Sequence, residues 1–253
     1  MKFDDLDNKM RVYETYTDLS IPDGNFIIAR LDGRSFTKLT KEKHKFEAPF
    51  DVKFRDIMVE TTRHLMSCGF RIHYAYTESD EISLLFHKDD QSFGRKLRKY
   101  ISILAGEASS AFSLLLKDTG CFDCRISILP DEKLVVDYFR WRNEDANRNA
   151  LNGYCYWEMR RDGYSAKDAT SYLSGKSIAD KNEYLFQKNI NYNEVDAWKK
   201  RGIGLYWADV EKQGFNPKTN EEIMCSRREI YVNYDLPMKE QYEDFILERL
   251  QEI

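Results

Sequence analysis

Arg71-Ile72-His73-Tyr74-Ala75-Tyr76 and Ile82-Ser83-Leu84-Leu85-Phe86 are two apolar runs separated by Thr77-Glu78-Ser79-Asp80, with Glu81 opening the second. Aromatic and branched runs of this length, divided by a short polar segment, predict a β-hairpin with a tight acidic turn. Upstream, residues 26–32 (Phe-Ile-Ile-Ala-Arg-Leu-Asp) predict a buried strand that also ends on a carboxylate. Between them, Asp51 is placed to cap a helix carrying Phe54, Ile57, Met58, Thr61 and Leu65 at helical spacing, closed by Cys68-Gly69. A second helix is predicted from Leu97, Tyr100, Ile101, Leu104, Ala108, Phe112 and Leu115, and Phe122 to Leu129 return as a strand before Pro130-Asp131.

The order is β-α-β-β-α-β, so the fold class expected is α+β, with a ferredoxin-like arrangement. In that topology the first strand lies beside the hairpin, and Asp32 at its end comes close to Asp80 in the turn. The domain division expected is a palm over residues 1–130 and an extension over 131–253 packed directly on it. The extension reads as mostly helical, with a late hairpin from Gly202–Asp209 and Glu229–Tyr234 around a polar loop, then a helix over Pro237–Ile253.

A carboxylate at a strand end is costly unless a cation meets it. Two such ends brought together make an oxygen-ligand site suited to Mg²⁺, with Asp32, Asp80 and the Gly33 carbonyl as donors. Glu81 either joins them or holds the turn. Taken singly each aspartate is an ordinary turn residue; the topologically matched pair beside glycine and arginine is what points to chemistry. Zinc does not fit, because His44, His64, His73 and His87 form no ligand pair, and Cys121-x-x-Cys124 has no second pair. Neither a Walker loop nor a GxGxxG is present.

Bulk properties narrow the class. The chain has 253 residues, a net charge of −4 and 32% charged residues, so any nucleic acid is held by local patches or metal-bound phosphates rather than overall charge. Basic residues cluster at Arg30 and Arg34, at Lys41, Lys43 and Lys45, and at Arg95, Lys96, Arg98 and Lys99. The last group opens the second helix, whose N-terminus can hold phosphate, and Arg30 and Lys99 are expected nearest the acidic motifs. No apolar run reaches the length of a membrane helix. The N-terminus lacks a signal-peptide core, and five cysteines without a secretion signal favour reduced thiols in the cytoplasm.

Arg-Leu-Asp-Gly-Arg-Ser-Phe (30–36), Lys-His-Lys-Phe (43–46) and Glu-Ser-Asp-Glu (78–81) resemble the tRNA-His guanylyltransferase family of 3′–5′ nucleotide-adding polymerases. Trp141-Arg142-x-x-Asp145, Asp180-Lys181-Asn182-Glu183 and Ile190-Asn191-Tyr192-Asn193 are similar to its later signatures, so the likeness spans about residues 25–210. The resemblance implies a palm enzyme, a dimer or tetramer, using two Mg²⁺ ions with GTP, ATP and other nucleoside triphosphates on tRNA 5′ ends. It implies catalysis at Asp32, Asp80 and Glu81 and metals on Asp32, Gly33 and Asp80. Nucleotide contacts are implied at Arg30, Gly33, Arg34, Ser35, Phe36, Asp51, Ser79 and Lys99. Asn147, Arg148, Lys181 and Asn182 fall in the region tied to a second nucleotide or the RNA end.

Two positions depart from the family pattern. The eukaryotic branch carries His-Ile-Asn-Asn-Leu-Tyr-Asn where this chain has Asn147-Arg148-Asn149-Ala150-Leu151-Asn152-Gly153, and a family lysine before Pro49 is Ala48. The missing histidine directs the sequence expectation to template-dependent repair of 5′-truncated tRNA after ATP or GTP activates the 5′-phosphate. The alternative is tRNA-His guanylyltransferase proper, adding one G at position −1. From another class, a catalytically silent RNA- or nucleotide-binding palm is disfavoured by the retained aspartates, and a nucleotide cyclase by the later motifs.

Overall fold

The computed structural model describes residues 2–216 and 221–251. An exposed helix, α1 (Phe3–Thr15), precedes the first strand, β1 (Phe26–Gly33). Next come α2 (Val52–Leu65), the hairpin β2 (Ile72–Glu78) and β3 (Glu81–Phe86), then α3 (Leu97–Leu116) and β4 (Phe122–Leu129). The expected βαββαβ order is present, with α1 added in front. Asp51 is the N-cap of α2, its side chain accepting from the Phe54 N–H.

The long helix α4 (Glu132–Arg161) is capped by Asp131. Then come α5 (Ala166–Leu173), α6 (Ile178–Gln187), α7 (Ala197–Arg201), β5 (Ile203–Asn216), β6 (Glu221–Asn233) and α8 (Glu240–Leu250). The late hairpin is longer than its apolar pattern suggested. Its strands continue through Val210–Lys212 and Ser226–Arg228, which read as loop because both faces there are polar. The hairpin is also no separate element: β5 pairs with β2, giving one antiparallel sheet ordered β4-β1-β3-β2-β5-β6. The final helix ends at Leu250, and residues 252–253 of the expected helix lie outside the described residues.

Both sheet faces are covered, which is why the inner strands read as continuous apolar runs rather than alternating ones. On one face Ile27, Ala29 and Leu31 pack with Met58, Leu65, Tyr100, Leu104 and Phe112 from α2 and α3. On the other, Ile28, Tyr74, Tyr76 and Leu85 pack with Phe139 of α4 and Tyr242 and Ile246 of α8. Each fully buried side chain of this size contributes about 1.5–3 kcal/mol. No helix among the described residues is long and apolar enough to cross a membrane.

Candidate active site at the Asp32–Asp80 edge

The register brings the two acidic motifs together. Asp32 is the cross-strand partner of Glu81, and the Gly33 N–H donates to the Asp80 carbonyl across 3.1 Å. Ser79 and Asp80 form the two-residue turn between β2 and β3. Ser79 has a left-handed backbone (φ +50°), and its hydroxyl donates to Asp80 Oδ1 at 3.1 Å. Gly33 is required by space rather than φ, because a Cβ there would lie 2.5 Å from the Phe36 ring.

This edge is electrostatically short of cations. Burial pushes the Asp80 carboxyl up to about 6, and the negative charges of Asp32 and Glu81 add to that; its backbone and Ser79 hydrogen bonds pull the other way. Glu78 is pushed up to about 8, chiefly by burial, while Arg142 opposes the rise. Its buried Oε2 has no hydrogen-bond partner. Among the described residues no group of three or more His, Cys, Asp and Glu side chains is set to hold a metal. Two carboxylates and a strand-end carbonyl nevertheless suit Mg²⁺, which commonly takes one or two carboxylates and completes its shell with water and phosphate oxygens. The buried Asp80 carboxyl is the observation that fits such an ion.

Glu81 is engaged differently. Its Oε2 accepts from Arg142 Nη2 at 2.6 Å, with Arg30 Nη1 3.9 Å away, so two arginines engage the side chain that the sequence leaves as either a further metal donor or a holder of the turn. Arg142 is 4% exposed and also donates to Asp145 Oδ2 at 3.2 Å. Trp141 presents its ring to both guanidiniums, at 5.9 Å from Arg30 and 4.8 Å from Arg142. Arg30 is thereby held at the edge beside Asp32, as expected.

A cavity of about 640 Å³ opens from this edge, with Glu78, Ser79 and Asp80 in its wall. Phe50, Trp157 and Trp198 supply aromatic surface, and Lys41, Arg55 and Arg160 supply cations. Asp51 lines it as expected, but both its oxygens are used: Oδ1 accepts from the Phe54 N–H and Oδ2 from the Glu47 N–H. Lys41, on a π-helical turn (Lys38–Lys43), donates to the carbonyls of Glu47 at 2.8 Å and Pro49 at 3.5 Å. Sequence reasoning grouped Lys41 with its neighbours on a charged surface. Only the wider π turn, which has no clear sequence signal, aims it inward.

The remaining site residues separate into other places. Arg34 and Ser35 open onto a neighbouring depression of about 420 Å³ with Lys38 and Lys43. Phe36, expected at the nucleotide, is 2% exposed and belongs chiefly to the aromatic core with Phe54, Phe112 and Phe122, only bordering the main cavity. Asn147, Arg148, Lys181 and Asn182 are brought together as expected, in a cavity of about 690 Å³ shared with Trp141, Asp145, Lys200 and Arg201. There the Tyr192 hydroxyl donates to the Asn147 carbonyl at 3.0 Å.

Lys99 is a correction. β3 runs away from the acidic turn, so α3 starts at the far end of the sheet. There Leu97 bonds to Leu19, and Arg95 bonds to Ile21, just before β1 begins. Eight residues of β1 separate that end from Gly33, roughly 23 Å of extended chain. Lys99 therefore does not share its own chain's Asp32–Asp80 edge. The rest of its basic cluster is structural: Arg95 donates to the carbonyls of Ile21, Pro22, Asn25 and Asp90, while Lys96 and Arg98 pair with Asp18.

Residues 7–130 match the family described as tRNAHis guanylyltransferase, and residues 133–245 match the Thg1 C terminal domain. The chain belongs to the tRNA-His guanylyltransferase family. The tRNA(His) guanylyltransferase of Schizosaccharomyces pombe is 34% identical over 218 residues, covering 79% of this chain and 83% of that protein. The probable tRNA(His) guanylyltransferase of Mus musculus is 30% identical over 198 residues, 74% of this chain and 66% of the mouse protein. Among solved members of the fold, a bacterial Thg1-like protein in complex with GTP superposes with a TM-score of 0.75 at 24% identity, over 97% of this chain and 99% of that one. The Saccharomyces cerevisiae tRNA(His) guanylyltransferase gives a TM-score of 0.70 at 23% identity, over 85% of this chain and 94% of that one. These structures place the guanylyltransferase family fold over nearly the whole chain.

Proposed function

We propose that this chain catalyses metal-assisted 3′–5′ nucleotidyl transfer to the 5′ end of a tRNA. The observation that carries the proposal is the convergence of Asp32, Asp80 and the Gly33 backbone at one strand edge beside a nucleotide-sized cavity. Magnesium held by Asp32, Asp80 and the Gly33 carbonyl would neutralise phosphate charge and lower the pKa of an attacking hydroxyl. Ser79 fixes the rotamer of Asp80. Arg30, held by Glu81 and Trp141, presents a guanidinium to phosphate oxygens at the edge, where charge develops during transfer. The aromatic cavity takes the nucleoside of an activating ATP or GTP. The second cavity, with Asn147, Arg148, Lys181 and Asn182, takes the incoming nucleotide or the RNA end. Assembly as a dimer or tetramer belongs to the same proposal, on the strength of the family likeness.

The names of the curated relatives favour addition of a single G to tRNA-His as the specific reaction. Template-dependent repair of truncated tRNA is the second reading, favoured by Asn147 standing where the eukaryotic branch carries histidine. The test supplies purified protein, Mg²⁺ and labelled triphosphates with full-length tRNA-His lacking G at −1, and in parallel a tRNA lacking its first 5′ nucleotide. G addition to tRNA-His whatever base lies opposite supports the guanylyltransferase. Preferential template-matched extension of the truncated tRNA supports repair, and transfer to neither substrate overturns both.

A further inference from the structure

The 640 Å³ cavity has carboxylates at Glu42, Glu78 and Asp80, but around Pro49 and Asp51 its acceptors are already engaged within the chain. The Asp51 carboxylate is taken by the N–H groups of Phe54 and Glu47, and the Glu47 and Pro49 carbonyls are taken by Lys41. A lysine ammonium has three N–H donors. Two of those on Lys41 are committed to these carbonyls, leaving the third for whatever enters the cavity. The ammonium also sits over the Trp157 ring, 5.9 Å from its centroid, so a base entering beside Trp157 comes within reach of this donor. Partial burial depresses the Lys41 pKa, while the nearby Asp51 and Glu47 oppose that shift.

The other cations are disposed differently. Arg55 lies over the rings of Trp198 and Tyr234 and bonds to Asp56. Arg160 is exposed and bonds to the Tyr164 carbonyl. Both purines offer an acceptor at N7, but guanine adds O6 where adenine places an amino donor at the 6-position. A fixed donor against that edge attracts the first and opposes the second.

We infer that Lys41 reads the 6-position of a purine bound in this cavity, selecting an oxo group over an amino group. The inference rests on the nucleotide reading above and adds the residue that sets base preference there. GTP is then favoured over ATP in this cavity.

The test measures binding of GTP, ITP, ATP and 2,6-diaminopurine riboside triphosphate to the full chain by quenching of tryptophan fluorescence. GTP and ITP should bind about tenfold more tightly than the two 6-amino nucleotides, the worth of one hydrogen bond from a charged donor. Lys41→Met should bring all four to within about twofold, by losing affinity for the oxo purines and relieving the 6-amino ones, and Lys41→Arg should keep the order. The comparison of ITP with the diaminopurine nucleotide uses the unaltered chain, so it holds even if a variant misfolds. Equal affinities in the unaltered chain, an order that follows the 2-amino group, or an unchanged ratio in a folded Lys41→Met overturns the inference. Binding of no triphosphate at all overturns the nucleotide reading with it.

Discussion

Arg142 Nη2 lies 2.6 Å from Glu81 Oε2, an ion pair that fastens α4 to the first residue of β3. Glu81 faces Glu78 across the hairpin, so Arg142 answers two neighbouring carboxyls at once. Arg142→Ala removes the nearer of the two guanidiniums that meet this cluster and should cost about 2–3 kcal/mol, since breaking a buried pair strands the remaining charge. Chemical denaturation of the single variants and of Arg142→Ala with Glu81→Gln checks this. The double variant should recover part of the loss.

Asp32→Ala or Asp80→Ala should lower nucleotide transfer by roughly a thousandfold or more, the several kcal/mol a metal supplies to a phosphoryl transition state. Circular dichroism should show the fold intact, because the edge sits above both cores. Near-normal rates in either variant would remove the metal assignment.

Burial, with the charges of Asp32 and Glu81, pushes the Asp80 carboxyl up to about 6 from an ordinary value of 3.8. A raised folded pKa means stability that is complete below pH 4 and is lost as pH climbs through 6. In EDTA, the unaltered chain should therefore lose about 2 kcal/mol relative to Asp80→Asn between pH 4 and 7. Thermal melts of the two proteins across that range read the difference, and Mg²⁺ should shrink it. Glu78, near 8, extends the same sign of dependence to higher pH.

Gly33→Ala should destabilise the chain by about 1–3 kcal/mol, the usual range for overpacking. The new methyl would meet the Phe36 ring at 2.5 Å, and that ring is locked against Phe112 and Phe122. Triphosphate binding should weaken as well, because relief of the clash moves the backbone carbonyl assigned to the metal. Denaturation and nucleotide titration of the same sample separate the two effects.

Much of this was legible in the sequence because it depends on local pattern. The apolar runs of β1 to β4, the capping Asp51 and the turn at Ser79-Asp80 each announce themselves within a few residues. Once the βαββαβ order is recognised, the meeting of Asp32 and Asp80 follows. Lys99 was misplaced because its nearness to the hairpin in sequence outweighed direction: a helix entered from a strand that leaves the turn must begin at the opposite end. Lys41 stayed hidden because a π turn differs from an ordinary basic loop only in backbone geometry. The fusion of the late hairpin to the palm was invisible because the β2–β5 pairing joins segments far apart in the chain, and no local signal encodes it.

The buried hydroxyls of Tyr74 and Tyr242 meet at 3.0 Å, joining a central strand to the last helix. Synthesis proceeds from the other end. Until residues 236–250 have left the ribosome, the face of the sheet that carries Tyr74 and Tyr76 is covered by α4 alone, and the part beneath Tyr242 and Ile246 lies open. A chain that stops early thus carries Asp32, Asp80 and Glu81 yet leaves part of its apolar sheet uncovered. Such a product exposes apolar surface that the last helix otherwise buries, and that exposure favours aggregation over a working site.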